Sequence, residues 1–119
     1  MEPFKLFEAE LRFLDIIWAV EPVNSTELSK LCEQKLGWKK PTTYTMIRKL
    51  CERGILKNEN ATVTALVKRQ EVQRYESETL VAKSFDGSLP AFVAAFLKDK
   101  RLTKEEAAKL RRMIEEAEE

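Results

Sequence analysis

The apolar residues at the start of the chain recur at helical spacing. Phe7, Leu11, Leu14 and Trp18 follow one another at steps of four, three and four residues, which places them on one side of a helix. The pattern therefore predicts a first helix over residues 8–20. Residues on the opposite side of this helix are also apolar, so we expect it to pack against more than one neighbour.

Two further helices are indicated by their end signals. Asn24 and Glu27 have the spacing of a capping box, in which the first side chain of a helix and the one three residues later each bond the other's backbone N–H. This predicts a second helix that runs to about Leu36. Gly37 then stops it, and a third helix begins near Pro41, because proline suits the first turn of a helix.

The spacing of apolar residues changes from helical to alternating after Gly54. Residues 55–57 and 62–67 are β-branched or apolar apart from Lys57, and the four residues 58–61 separate them, which predicts a hairpin. Three helices followed by a hairpin is the order of a winged helix-turn-helix. We predict this domain over residues 1–69.

The rest of the chain, residues 70–119, predicts a second helical segment. A weakly amphipathic helix runs to Phe85, a short helix follows the break at Gly87, and Thr103 with Glu106 forms a capping box before the last helix. The apolar residues of the short and last helices fall on stripes, which contain Leu89, Phe92, Val93, Phe96, Leu110 and Ile114. The predicted fold class is thus mainly α with a small β-hairpin.

The apolar stripes of residues 70–119 must be buried against another surface. So short a segment is close to the size below which chains need outside help to fold. The stripes could fold back onto the first domain or pair with the same segment of a second copy. We favour a homodimer, because twofold dimers are the commonest oligomers.

Composition excludes several classes of protein. The chain has 119 residues, of which 34% are charged and 44% hydrophobic, as in a soluble globular protein. It has no run of 18 apolar residues, and its start lacks the basic and apolar regions of a signal peptide. We therefore expect a cytoplasmic protein that does not contact membranes.

Catalytic and metal-binding patterns are also missing from the sequence. There is no histidine, no Gly-rich phosphate loop and no G-x-S-x-G motif, so we expect no enzyme activity and no cofactor. The two cysteines, Cys32 and Cys51, fit apolar helix positions and are interpreted as buried thiols rather than metal ligands.

Positive charge concentrates around the third helix. The net charge of the whole chain is +1, but residues 35–57 hold seven basic residues and one acidic residue, a local charge of +6. Such a cluster favours a polyanionic partner.

The third helix divides into an apolar side and a side suited to DNA. A helical wheel places Thr43, Met46, Ile47, Leu50 and Gly54 in one sector. Tyr44, Thr45 and Arg48 point the opposite way. Threonine and arginine can bond base edges in a major groove, lysine neutralises phosphates, and a wing can reach the backbone or minor groove. The predicted DNA-binding residues are Lys39, Lys40, Thr42, Tyr44, Thr45, Arg48, Lys49, Lys57, Asn58 and Asn60.

Two alternatives to DNA binding remain at this point. The third helix could be a solvated, threonine-rich helix of an unrelated fold. A winged helix that binds only proteins is the other alternative, although such a domain has no need of a local charge of +6.

Four sequence motifs resemble the penicillinase repressor family of bacterial winged-helix repressors. They are E-x-x-x-L-D-I-I-W from Glu10, V-x-x-x-E-L from Val23, GWKKPTTYTMIRKLCERGIL from Gly37 and GSLPAFVAAF from Gly87. The resemblance spans nearly the whole chain. It implies a homodimer that binds a dyad-symmetric operator, with Thr42, Tyr44 and Thr45 at the bases. A basic residue is usual in this family where Tyr44 stands, so the operator sequence does not carry over.

The resemblance also implies a regulatory protease for some family members, which cuts an Asn-Phe bond in the dimerisation region. The matching bond here is Ala95–Phe96, where the phenylalanine is kept and the asparagine is replaced. We favour the other interpretation, in which Phe92, Val93 and Phe96 are simply dimer core. The two interpretations are physically compatible, because a cut through a core helix would also disrupt the dimer. Copper control, found in one branch of the family, needs C-terminal cysteines that this chain lacks.

Overall fold

The computed structural model describes residues 4–119 of the protein. Within them the elements, in chain order, are α1 (Glu8–Val20), β1 (Val23–Asn24), α2 (Ser25–Leu36), α3 (Lys40–Glu52), β2 (Leu56–Glu59), β3 (Thr62–Ala65), α4 (Arg69–Ser84), α5 (Leu89–Leu97) and α6 (Lys104–Ala117). The predicted class, a winged helix-turn-helix followed by C-terminal helices, is confirmed. The chain divides into two compact units, Met1–Thr79 and Leu80–Glu119.

The core of the first unit is built from one face of each helix and the hairpin. Its fully buried members come from α1 (Phe13, Leu14, Ile17), α2 (Leu28, Cys32), α3 (Ile47, Leu50) and the hairpin region (Ile55, Leu56, Val63). α1 packs against both α2 and β3, which explains why it is apolar on two sides. This core fixes which side of α3 can face a ligand.

The turn between α2 and α3 depends on Gly37. Its φ of +71° lies in the left-handed region, which glycine adopts without steric cost, and its N–H donates to the Cys32 and Glu33 carbonyls. At the other end of α2, the Asn24 side chain accepts a hydrogen bond from Thr26 N at 2.8 Å. Glu27 was predicted to complete a capping box, but its Oε1 lies 3.9 Å from Lys30 Nζ. The cap is therefore formed by Asn24 and Thr26 N instead.

The hairpin differs in detail from the prediction. Asn58 and Glu59 pair with Val63 and Thr62, so the turn consists of Asn60 and Ala61 alone rather than residues 58–61. Both turn residues have positive φ, +52° and +60°, as in the type I′ turn that suits tight hairpins.

A short third strand joins the hairpin to α2. The sheet has the order β1-β3-β2, with Val23 opposite Val63 and Asn24 opposite Thr62, all antiparallel. The Ser25 N–H also donates to the Ala61 carbonyl at 2.8 Å. The first residue of α2 is therefore bonded to the tip of the wing. A two-residue strand has no periodicity, which is why the sequence did not predict it.

The beginning of α4 is attached to α1. Trp18 Nε1 donates to the Val67 carbonyl at 3.0 Å, and the Arg69 guanidinium lies 5.3 Å from the centre of the Trp18 ring and 3.4 Å from Asp15. Val72 is buried in the core. The first turns of α4 therefore belong to the winged-helix unit.

The second unit consists of the end of α4, α5 and α6. Ser88 caps α5 and Thr103 forms the predicted capping box with Glu106. Phe92 contacts both Phe85 and Phe96, with ring centres 5.5 and 6.0 Å apart. No residue of Leu80–Glu119 is fully buried in the single chain.

Candidate nucleic-acid interface

The core orients α3 so that its polar side is free. Thr43, Ile47 and Leu50 are buried, whereas Thr45 and Arg48 on the opposite side are exposed. The spacing predicted these inward and outward residues correctly. Tyr44 is the exception, because it was expected on the outward side but is half-buried against the core.

The leading end of α3 carries uncompensated positive charge. Lys39 is the residue before the helix, and its carbonyl accepts bonds from Thr42 N and Thr43 N at 3.0 and 3.3 Å. Lys39, Lys40 and Thr42 are exposed. Within residues 4–119, no acidic side chain forms an ion pair with Lys39, Lys40 or Arg48. This end of a recognition helix is the one that enters a major groove in helix-turn-helix proteins.

The Tyr44 side chain interacts with residues of its own domain. Hydrogen bonds from Ser25 and then Thr26, with a smaller contribution from Lys40, hold the pKa of the Tyr44 hydroxyl below its usual value. The Lys40 ammonium lies 5.8 Å from the centre of its ring. Tyr44 is half-buried and lies near the start of α2.

The wing carries the remaining predicted residues. Lys57, Asn58 and Asn60 are exposed, and the Lys57 ammonium lies 3.3 Å from Glu59. A shallow depression of about 220 Å³ on this face is lined by Lys57, Glu59, Asn60, Thr62 and Thr64. The wing offers amide and hydroxyl groups, but Glu59 reduces its positive charge.

The sequence did not identify Glu10 as part of this region. Its carboxylate is only 2% exposed and accepts a hydrogen bond from Phe7 N at 2.9 Å. Lys49 Nζ lies 3.2 Å from Oε2, and Arg53 Nη1 lies 3.3 Å from the same oxygen. Burial alone would raise the pKa of Glu10, but the hydrogen bond from Phe7 and the two cations outweigh it and hold that pKa below its usual value. The signal was available, because Glu10 stands three and four residues before the core residues Phe13 and Leu14.

The predicted dimerisation residues of the second unit are exposed, except for Phe92, which is half-buried between Phe85 and Phe96. Leu89, Phe96 and Ile114 are 60%, 56% and 68% exposed. The Ala95–Phe96 bond lies within α5, and the Lys100 ammonium bonds the Phe96 carbonyl at 2.7 Å.

Other kinds of site are sparse in the described chain. Among residues 4–119, no group of three or more His, Cys, Asp or Glu side chains could hold a metal ion. Cys32 is buried and Cys51 is half-buried, and burial raises the pKa of both thiols. No single helix in the same range is long and apolar enough to span a membrane, and α4 with α5 reach that length and composition only as a bent pair.

Comparison with known proteins agrees with this architecture. The penicillinase repressor family matches residues 6–116 of the chain. A protein of Bacillus licheniformis described as a penicillinase repressor is 24% identical over 116 residues, which cover 94% of this chain and 91% of that protein. This chain therefore belongs to the penicillinase repressor family, and that membership supports a role as a DNA-binding repressor of transcription rather than as an enzyme.

Proposed function

We propose that this protein represses transcription as a homodimer that binds a dyad-symmetric operator through α3 and the wing. The observation that carries the proposal is the exposed side of α3, where Thr42, Thr45 and Arg48 are free while the opposite side is fixed in the core. Threonine and arginine at base edges supply sequence preference, and the lysines at the start of α3 supply affinity for phosphates.

The contacts divide by type. Thr42, Thr45 and Arg48 are the proposed base-reading residues, and Tyr44 is a further candidate from the exposed part of its ring. The proposed backbone or minor-groove contacts are Lys39, Lys40, Lys57, Asn58 and Asn60. Lys49 differs from all of these because its ammonium is already paired with Glu10.

The dimer is supported by the surface of the second unit. A single chain leaves Leu89, Val93, Phe96, Leu110, Met113 and Ile114 exposed. Patches of this kind are typical of protein interfaces rather than of monomer surfaces. We propose that residues 70–119 hold the dimer contacts, on α5 and α6. The first turns of α4 pack with residues 1–69 and belong to the DNA-binding domain. Because the ligand would be chromosomal DNA, the protein would act in the cytoplasm.

Selection of bound sequences from random duplex DNA tests the proposal. The purified full-length protein should enrich an inverted repeat whose half-sites are separated by about one helical turn or a multiple of it. Enrichment of no sequence, at a salt concentration where the protein is folded, would instead favour a winged helix that binds only proteins.

Relief of repression by proteolysis is a further part of the proposal. A cut at Ala95–Phe96 would separate most of α5 from α6 and so divide the proposed dimer surface. Replacing this dipeptide by the recognition sequence of a specific protease allows the cut to be made in vitro. Release of operator DNA after the cut supports the mechanism, and unchanged binding contradicts it.

A further inference from the structure

Glu10 connects α1 to the side of α3 that neighbours the proposed DNA-reading face. Lys49 lies in the last turn of α3 and Arg53 directly follows the helix, four residues on, and both reach the same carboxylate. Arg53 is also fixed from its other side, because Nη2 donates to the Lys5 carbonyl at 2.6 Å. Two attachments one turn apart resist rotation of α3 about its own axis.

A buried carboxylate is costly unless cations and hydrogen bonds compensate it, and similar volumes of apolar side chain often stabilise a fold as well or better. Glu10 occupies a position of α1 where an apolar residue would fit the core pattern, between the helix start and Phe13. Part of its role is local, because the carboxylate caps the start of α1 by accepting the Phe7 N–H. Its further effect is on the geometry and charge of α3.

The charge effect follows from the ion pairs. Of the seven basic residues between Lys35 and Lys57, Glu10 holds Lys49 and Arg53, and Glu59 holds Lys57. Arg48, the neighbour of Lys49, forms no ion pair with any described residue. The adjacent residues Arg48 and Lys49 therefore differ: the Arg48 guanidinium is unpaired within residues 4–119, whereas the Lys49 ammonium is paired with Glu10.

We propose that Glu10 is a positioning residue of the DNA-reading surface, which adds to the core in holding the rotation of α3 and withholds Lys49 from phosphate contacts. This inference rests on the proposed DNA-binding function. It changes the role expected for Lys49 from a direct DNA contact to a support of α3. Loss of Glu10 should release a mobile cation beside Arg48, and that cation would bind any duplex regardless of sequence.

The test compares full-length variants by affinity for a selected operator and for an unrelated duplex over a range of KCl concentrations. In Glu10→Gln, the plot of log affinity against log salt should steepen by roughly two units per dimer, because each freed phosphate contact contributes about 0.9. The ratio of operator affinity to unrelated-duplex affinity should fall about tenfold. Glu8→Gln is the matched control, since it removes an equal charge from an exposed carboxylate two residues away that pairs with Arg12. It should change neither quantity.

Variants of Lys49 test whether this residue positions α3 or contacts DNA phosphates directly. Lys49→Gln should keep the wild-type salt slope but lower the operator preference, whereas Arg48→Gln should flatten the slope by roughly two units per dimer. In Glu10→Gln/Lys49→Gln the slope should return to the wild-type value. A loss of folding stability alone would produce none of these slope changes.

Several outcomes would overturn the inference. One is a Glu10→Gln slope equal to that of wild type, and another is a Lys49→Gln slope as flat as that of Arg48→Gln. If Glu10→Gln does not fold, the Lys49→Gln slope decides the matter alone, because Lys49 is 53% exposed and its replacement spares the core. A wild-type protein with no operator preference would instead refute the proposed function, a result distinct from either slope.

Discussion

The exposed face of α6 gives a quantitative test of the proposed dimer. Ile114 is 68% exposed in the single chain. Ile114→Ala removes roughly three methyl or methylene groups, at ~0.8 kcal/mol each when they are fully buried. About two-thirds of that burial would come from the partner, so each subunit loses about 1.6 kcal/mol and a symmetric dimer about 3 kcal/mol. The dissociation constant of the dimer should therefore rise on the order of a hundredfold.

Sedimentation equilibrium over a concentration series measures this constant directly. Arg112→Ala is the matched control. Arg112 is also exposed, and it lies two residues away, on the opposite side of the same helix. It should leave the dissociation constant within about threefold of wild type. Circular dichroism of both variants checks that α6 still forms.

The Ile114→Ala variant also distinguishes packing of this stripe on its own chain from packing on a second copy. If Ile114 packed on the first unit of its own chain, Ile114→Ala would lower the unfolding temperature of a diluted, monomeric sample. If it packs on a partner, the monomer should be indifferent to the change. A variant with the wild-type dissociation constant would refute the assignment of this stripe to the dimer.

Three further predictions address the reading surface and the first unit. Thr45→Ala should weaken operator binding by about 1–3 kcal/mol and relax base preference, whereas Lys39→Ala should weaken all duplexes alike, both measured by fluorescence anisotropy. The pKa of Glu10 is lowered by folding, so its contribution to stability is present above its unfolded pKa and is lost as the pH falls through the lower folded pKa. Denaturant titrations should therefore show a smaller loss of stability on acidification for Glu10→Gln than for wild type, and equal losses would contradict the ion pairs. A fragment that ends at Thr79, which keeps the buried Val72, should fold as a monomer and bind a full operator much more weakly than the intact chain, because it loses the avidity of two linked readers. A dimeric fragment with full affinity would refute the division of roles.

The elements that the sequence predicted well are those with long periodic signals. α1 spans the residues that its apolar spacing marked, and Gly37 and Thr103 act at the helix ends where their conformational and capping preferences placed them. These signals are local, so no knowledge of the fold is needed to read them.

The features that were missed arise from contacts between distant residues. β1 is too short to show alternation, and it exists because Val23 meets Val63. Ala61 gives no turn signal, because alanine rarely adopts a positive φ. The bonds from Ser25 and Thr26 to Tyr44 and the pairing of Lys49 with Glu10 join different helices. A linear count of charges therefore overestimated the free cations around α3.

The hydrogen bond from Ser25 N to the Ala61 carbonyl limits how the wing can vary. Hairpin loops usually tolerate insertions and deletions, because their residues contact little else. Here one added residue would remove both the paired positive φ angles at Asn60 and Ala61 and the acceptor at the start of α2. The length of this loop should consequently be under selection in its own right, and changes of specificity should arise by substitution on the wing rather than by changes in its size.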